Sequence, residues 1–135
     1  MFIDRFLPFQ SSELSFITTS AIEFYIEKMF ENAKKKIIII SPYIKINLRI
    51  YDILQNRKNN NVDITIVYRE EFEHANIATN LFKRKNLHAK CFFTENAAII
   101  GSMNLYDYSQ INNDEMAIYL TKINNEKLYN DISKE

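Results

Sequence analysis

The sequence predicts an α/β fold, with a central mixed β-sheet flanked by helices on both faces. Three observations carry this expectation. Ile37, Ile38, Ile39 and Ile40 form a continuous β-branched run, the pattern of a strand buried on both faces. A second apolar run from Val62 to Tyr68 follows about twenty residues later, with a helical pattern between the two. Two strands joined in this way favour parallel pairing through a crossover helix.

Taken in order, Thr18, Thr19 and Ser20 offer N-caps for a first helix reaching about Ala33. Ile22, Tyr25, Ile26, Met29, Phe30 and Ala33 recur at three- and four-residue spacing and make one buried stripe. Lys34, Lys35 and Lys36 suit the negative end of that helix. Ser41-Pro42-Tyr43 ends the first strand, and a second helix is predicted over 46–57, closed by the turn-prone Asn59, Asn60 and Asn61. The stretch 70–85 reads as a helix or a long loop. Three short strands are expected over 87–93, 97–100 and 115–120, with a final helix over 124–133.

The chain has 135 residues, 47% of them hydrophobic, with 10 Phe and 8 Tyr, which fits a single domain with a substantial core. One Gly and two Pro argue against a low-complexity chain. Its 17 basic and 17 acidic residues cancel, so any nucleic-acid site must be a local patch. The single cysteine, Cys91, permits no intrachain disulfide and no cysteine-based metal site; on the core face of its strand it reads as packing. The first ten residues lack the pattern of a signal peptide, and no apolar run approaches the roughly 20 residues of a membrane span. A cytoplasmic protein is expected, either whole or a domain cut from a longer chain.

The most informative segment is Leu87-His88-Ala89-Lys90-Cys91-Phe92-Phe93. On a strand, Leu87, Ala89, Cys91 and Phe93 would share an apolar face while His88 and Lys90 point the other way. Two such groups about 7 Å apart along a strand suit an anion such as phosphate. Gly101-Ser102-Met103-Asn104 follows directly after the next apolar run. There Gly101 allows a tight backbone path, and Ser102 and Asn104 can donate hydrogen bonds to phosphate oxygens. Glu115 opens the strand after that as a carboxylate partner for His88.

His88-x-Lys90, an acidic residue at 95 and Gly101-Ser102-x-Asn104 together resemble the HKD signature of the phospholipase D superfamily, H-x-K-x4-D-x6-G-S-x-N. Lys36 to Tyr43 is similar to the strand-plus-tyrosine segment that precedes the signature. Asn112-Asn113-Asp114-Glu115 resembles the acidic position that follows it. The likeness spans about residues 20 to 120. It departs in two places: Glu95 replaces Asp, and five residues rather than six separate it from Gly101.

The resemblance implies a phospholipase D-like half-domain and a phosphodiesterase that uses no metal and no cofactor. His88 would attack phosphorus and form a phosphohistidine. Lys90 and Asn104 would hold the phosphate oxygens, Ser102 would support them, and Glu115 would fix the histidine's tautomer. The family takes its general acid from a second signature histidine, which this chain lacks. A homodimer sharing one active site is therefore expected. Small single-signature members imply an endonuclease acting on DNA or RNA. Lys83, Arg84 and Lys85 are then candidates for backbone contacts, or simply a solvated turn. Tyr43 either lines the site or packs. Glu95 reads as a hairpin residue and His74 as a surface histidine. Two other readings stay open. One is a phospholipase or phosphatidyl transferase, with Phe2, Phe6, Leu7 and Phe9 as the apolar residues outside the core. The other is a catalytically weak nucleic-acid-binding module. Stable membrane association is not expected.

Overall fold

The computed structural model describes residues 14–105 and 114–134. Its elements are β1 (Ser15–Thr18), α1 (Thr19–Asn32), β2 (Lys36–Ile40), α2 (Leu48–Asn59), β3 (Asp63–Tyr68), β4 (Asn80–Lys83), β5 (Cys91–Thr94), β6 (Ala97–Gly101), β7 (Met116–Thr121) and α3 (Glu126–Ser133). A short 3-10 turn at Ala75–Ile77 precedes β4. The seven strands form one sheet in the order β1-β7-β6-β5-β2-β3-β4. Strands β2, β3 and β4 run parallel, and the remaining pairs are antiparallel. The predicted mixed sheet with helices on both faces is the observed one.

The two faces are unequal. One carries the main core, where Ile22, Ile26, Met29 and Phe30 of α1 and Ile50 and Leu54 of α2 pack on Ile37, Ile39, Ile64, Ile66, Phe92 and Ile99. The other carries a smaller cluster of Cys91, Phe93, Ala98 and Leu120, closed by Tyr129 of α3. Ile37 and Ile39 are fully buried, whereas Ile38 and Ile40 are half-buried. The expectation that β2 is buried on both faces is thus corrected: among the described residues only α3 covers the second face, and it is eight residues long.

Several boundaries move for physical reasons. Helix α2 starts at Leu48 because the Asn47 side chain accepts from the Ile50 N–H at 2.9 Å, an N-cap that displaces the start predicted at Ile46. Thr18 sits at the N-cap of α1 without a side-chain cap bond, and the Thr19 hydroxyl accepts instead from the Glu115 N–H at 3.1 Å. Helix α1 ends before the lysines, and its last turn holds no basic residue. The dipole role expected of Lys34 to Lys36 is not what orders them. Their backbone N–H groups all donate to the Glu95 carboxylate, at 2.8, 3.3 and 3.2 Å. The 70–85 stretch contains no α-helix; it ends in β4, an exposed edge strand that pairs with β3.

Candidate functional site

The site lies at one rim of the sheet, where β2, β3 and β6 end and β5 begins. The predicted strand over 87–93 is corrected here. Residues 87–90 pair with no neighbour as a strand, and β5 begins only at Cys91. Ala89 and His88 are both exposed, so the alternation of an apolar and a polar face does not extend through this segment. The physical reason is the position of β5 between β2 and β6: its partners Ile40 and Ile100 face Cys91, and the ladder stops there. The segment is still held. Lys90 Nζ donates to the His88 carbonyl at 3.1 Å, and the Gly101 N–H donates to the Lys90 carbonyl at 3.3 Å.

Gly101 is needed for space rather than for an unusual backbone angle, since no glycine here has positive φ. A Cβ at this position would come within 2.4 Å of the Met116 carbonyl oxygen and 2.5 Å of the Ala117 Cβ. Close approach of β6 to β7 then sets the next residue. The Ser102 hydroxyl donates to Glu115 Oε1 at 2.5 Å and accepts from the Met116 N–H at 3.1 Å. Among the described residues Glu115 is therefore partnered by Ser102, and the expected bond from Glu115 to His88 is absent.

Asn104 is oriented from below by a buried hydroxyl. Its Oδ1 accepts from the Tyr43 N–H at 3.3 Å and lies 3.2 Å from Ser41 Oγ. Ser41, fully buried, also bonds the Tyr43 carbonyl at 2.8 Å and accepts from the Leu105 N–H at 3.1 Å. With the amide oxygen committed inward, the amide NH2 is the group left to donate. Tyr43 remains exposed, with the Arg69 guanidinium 4.8 Å over its ring. Arg69 Nη1 in turn donates to the Leu87 carbonyl at 2.9 Å and lies 3.4 Å from His88 Nδ1.

A chain of contacts thus links His88 to Arg69, Arg69 to Tyr43, and Tyr43 to Asn104. Lys90, Gly101, Ser102 and Glu115 connect on the other side. The fold gathers His88, Lys90, Ser102, Asn104, Glu115 and Tyr43 from four stretches of the chain. Arg84 and Lys85 share with His88 and Lys90 a cavity of about 1030 Å3, whose floor includes Ile40, Val67 and Cys91. Lys83 stands apart, with its Nζ donating to Glu71 at 2.7 Å. Glu95 lies at the opposite end of β5 and takes no part in the rim. Arg69 was missed from sequence because one arginine after a strand carries no local signal. Ser41 was read only as part of a strand-ending turn.

Burial pushes the Cys91 thiol up to about 12, which keeps it protonated and unreactive at neutral pH. His74 is exposed, in the left-handed region at φ 69°, and its ring lies 5.0 Å from that of Tyr51 in a tilted contact. Among the described residues no group of three or more His, Cys, Asp and Glu side chains is arranged to hold a metal ion. No described helix is long and apolar enough to cross a membrane. Phe2, Phe6, Leu7, Phe9, Asn112 and Asn113 lie outside the described residues.

No family model matches the sequence, and no curated protein matches it. Solved structures do match. Nuc from Salmonella typhimurium, a phospholipase D family member, superposes with a TM-score of 0.67 at 18% identity, over 87% of this chain and 90% of that one. NucT from Helicobacter pylori gives 0.62 at 15% identity, over 90% of this chain and 93% of that one. A phosphatidylserine synthase from Haemophilus influenzae gives 0.71 at 13% identity, over 90% of this chain but 37% of the other. These superpositions show a shared fold: the chain has the fold of these structures, one of them a phospholipase D family member.

Proposed function

We propose that this protein is a metal-independent phosphodiesterase, an endonuclease cutting DNA or RNA at an active site shared by two copies of the chain. The observation that carries the reading is the convergence of His88, Lys90, Ser102 and Asn104 on one rim of a phospholipase D-like fold. In the first step a His88 ring nitrogen attacks phosphorus, forming a nitrogen–phosphorus bond as the ester oxygen departs. The departing oxygen takes its proton from the partner's His88. In the second step a water oxygen attacks the phosphohistidine while the partner's His88 accepts its proton. The products are a phosphate monoester and a free imidazole. Lys90 and the Asn104 amide stabilise the charge that builds on the phosphate oxygens. Ser102, bonded to Glu115, supports that array. Arg84 and Lys85, in the same cavity, meet the neighbouring phosphates of the strand.

The need for a second copy follows from the single signature histidine, and the surface beside it supports this. Phe16, Ile118, Ile100, Cys91, Ile40, Val67 and Phe82 are consecutive register partners, one per strand, so they form an apolar row across the second face. Phe16 is 68%, Phe82 54% and Ile118 43% exposed. Cys91 at the middle is buried, and the exposed apolar residues towards the two edges are of the kind that mark association surfaces. A lipid phosphodiester is the second reading, favoured by the same row, and sedimentation with anionic liposomes separates the two. The setting proposed is the cytoplasm.

The deciding experiment incubates purified protein with plasmid DNA and single-stranded RNA in excess EDTA, beside His88→Ala. Cleavage by the wild type alone, rising with the fraction of dimer, is expected. Equal cleavage by both proteins would refute the assignment of His88. No cleavage by a folded, dimeric wild type would remove nuclease from first place.

A further inference from the structure

We infer that Arg69 is a phosphate-binding residue of this site, a role resting on the phosphodiesterase reading above. The position is built rather than incidental. Arg69 follows directly on β3, and its N–H and that of Glu70 both donate to the Pro42 carbonyl, at 3.2 and 3.0 Å, which ties the ends of β3 and β2 together. The guanidinium lies against the Tyr43 ring, and its side chain is 17% exposed. A stacked, largely desolvated guanidinium keeps its charge and its planar fork, the geometry that matches a phosphate bidentately.

The donors can be counted. A guanidinium has five N–H groups and no acceptor. Arg69 Nε donates to Glu70 at 3.0 Å, while Nη1 meets the Leu87 carbonyl and faces His88 Nδ1. No described residue accepts from Nη2. Glu70 is 53% exposed, so its ion pair is screened by solvent and readily exchanged for a phosphate oxygen. Arg69 therefore brings donors beside His88 with one loosely held counter-ion, an arrangement that an anion completes.

The contact with His88 also says where the anion arrives. Arg69 Nη1 lies 3.4 Å from His88 Nδ1, so a phosphate drawn onto the guanidinium is brought beside the histidine ring. The Tyr43 ring, 4.8 Å from the guanidinium, backs it on the other side.

The test uses the full chain with Arg69→Ala, Arg69→Gln, Arg69→Lys and, as a charge-matched control away from the rim, Arg49→Ala. Tungstate, a tetrahedral phosphate analogue, is titrated by calorimetry, and bis(p-nitrophenyl) phosphate hydrolysis is followed in EDTA. Losing a charge-assisted bidentate contact should weaken tungstate binding about ten- to a hundredfold in Arg69→Ala and Arg69→Gln. Arg69→Lys should recover only part, and Arg49→Ala should match wild type. Arg69→Gln retains a donor for the Leu87 carbonyl and serves if Arg69→Ala does not fold. Equal tungstate affinity in wild type and in the folded Arg69 variants would overturn the inference, as would no binding by wild type. Tungstate binding that depends on Arg69, without hydrolysis of any phosphodiester, would uphold the anion site and refute the phosphodiesterase reading.

Discussion

Replacing Glu95 by Gln tests the reading of the one signature position that differs in kind. The Glu95 carboxylate gathers three successive backbone N–H groups, those of Lys34, Lys35 and Lys36, and so fastens the β5–β6 hairpin to the entry of β2. Hydrogen bonds to a charged acceptor contribute about 1.5–3 kcal/mol each when desolvated. Two of the three are exposed, so water replaces the carboxylate there at little cost, and only the bond to the half-buried Lys36 retains much of its value. The expected loss in Glu95→Gln is therefore about 1–2 kcal/mol after allowing for solvent screening. With a urea m-value of roughly 2 kcal/mol/M, the midpoint should fall by about 0.5–1 M at neutral pH.

The pH dependence gives a second handle. Burial raises the Glu95 carboxyl most, yet the N–H groups of Lys34, Glu95 itself, Lys36 and Lys35 together outweigh it and hold the group below the usual carboxylate range. A carboxyl lowered in the folded state stabilises fully above its unfolded value of about 4.3, and that contribution fades as pH falls through the lower folded value. The gap between wild type and Glu95→Gln should therefore be constant from about pH 8 to pH 5 and narrow below about pH 4. Urea titrations followed by circular dichroism read both quantities. An unchanged midpoint at neutral pH would refute the structural role. A loss of hydrolysis with an unchanged midpoint would instead make Glu95 part of the chemistry.

Gly101→Ala should cost about 1–3 kcal/mol, because its Cβ would meet the Met116 carbonyl and Ala117 at 2.4 and 2.5 Å, and backbone cannot step aside as a flexible side chain would. Thermal unfolding measures this, and an unchanged melting temperature would contradict the close approach of β6 to β7. The Cys91 thiol, held up to about 12 by burial, should resist iodoacetamide at about pH 8 in the native protein and react at once in denaturant. Rapid labelling of the native protein would contradict its burial.

The contrast between what could and could not be read is a matter of range. The local patterns of α1, α2, β2 and β3 suffice because each pairs a hydrophobic period with a burial that repeats along one short stretch. The residues of the signature were legible for the same reason, since His88, Lys90, Ser102 and Asn104 stand within seventeen positions of one another. The strands β1 and β4 were not legible, because an edge strand takes its hydrogen bonds from a neighbour, and all four residues of β4 are exposed. The end of β5 at Cys91 was likewise set by its partners in β2 and β6 rather than by its own alternation.

By itself, then, the sequence determined the α/β class, the order of its main elements and the chemical character of the motif, since each of these is written in short-range spacing. Tertiary structure alone decided that Ser102 takes Glu115, that Ser41 turns the Asn104 amide, that Glu95 binds the turn before β2, and that Arg69 reaches His88. Three of those contacts join segments nineteen to sixty-three residues apart, and the fourth joins residues thirteen apart. No periodicity encodes such meetings, because they exist only once the sheet order has brought those strand ends to a common edge.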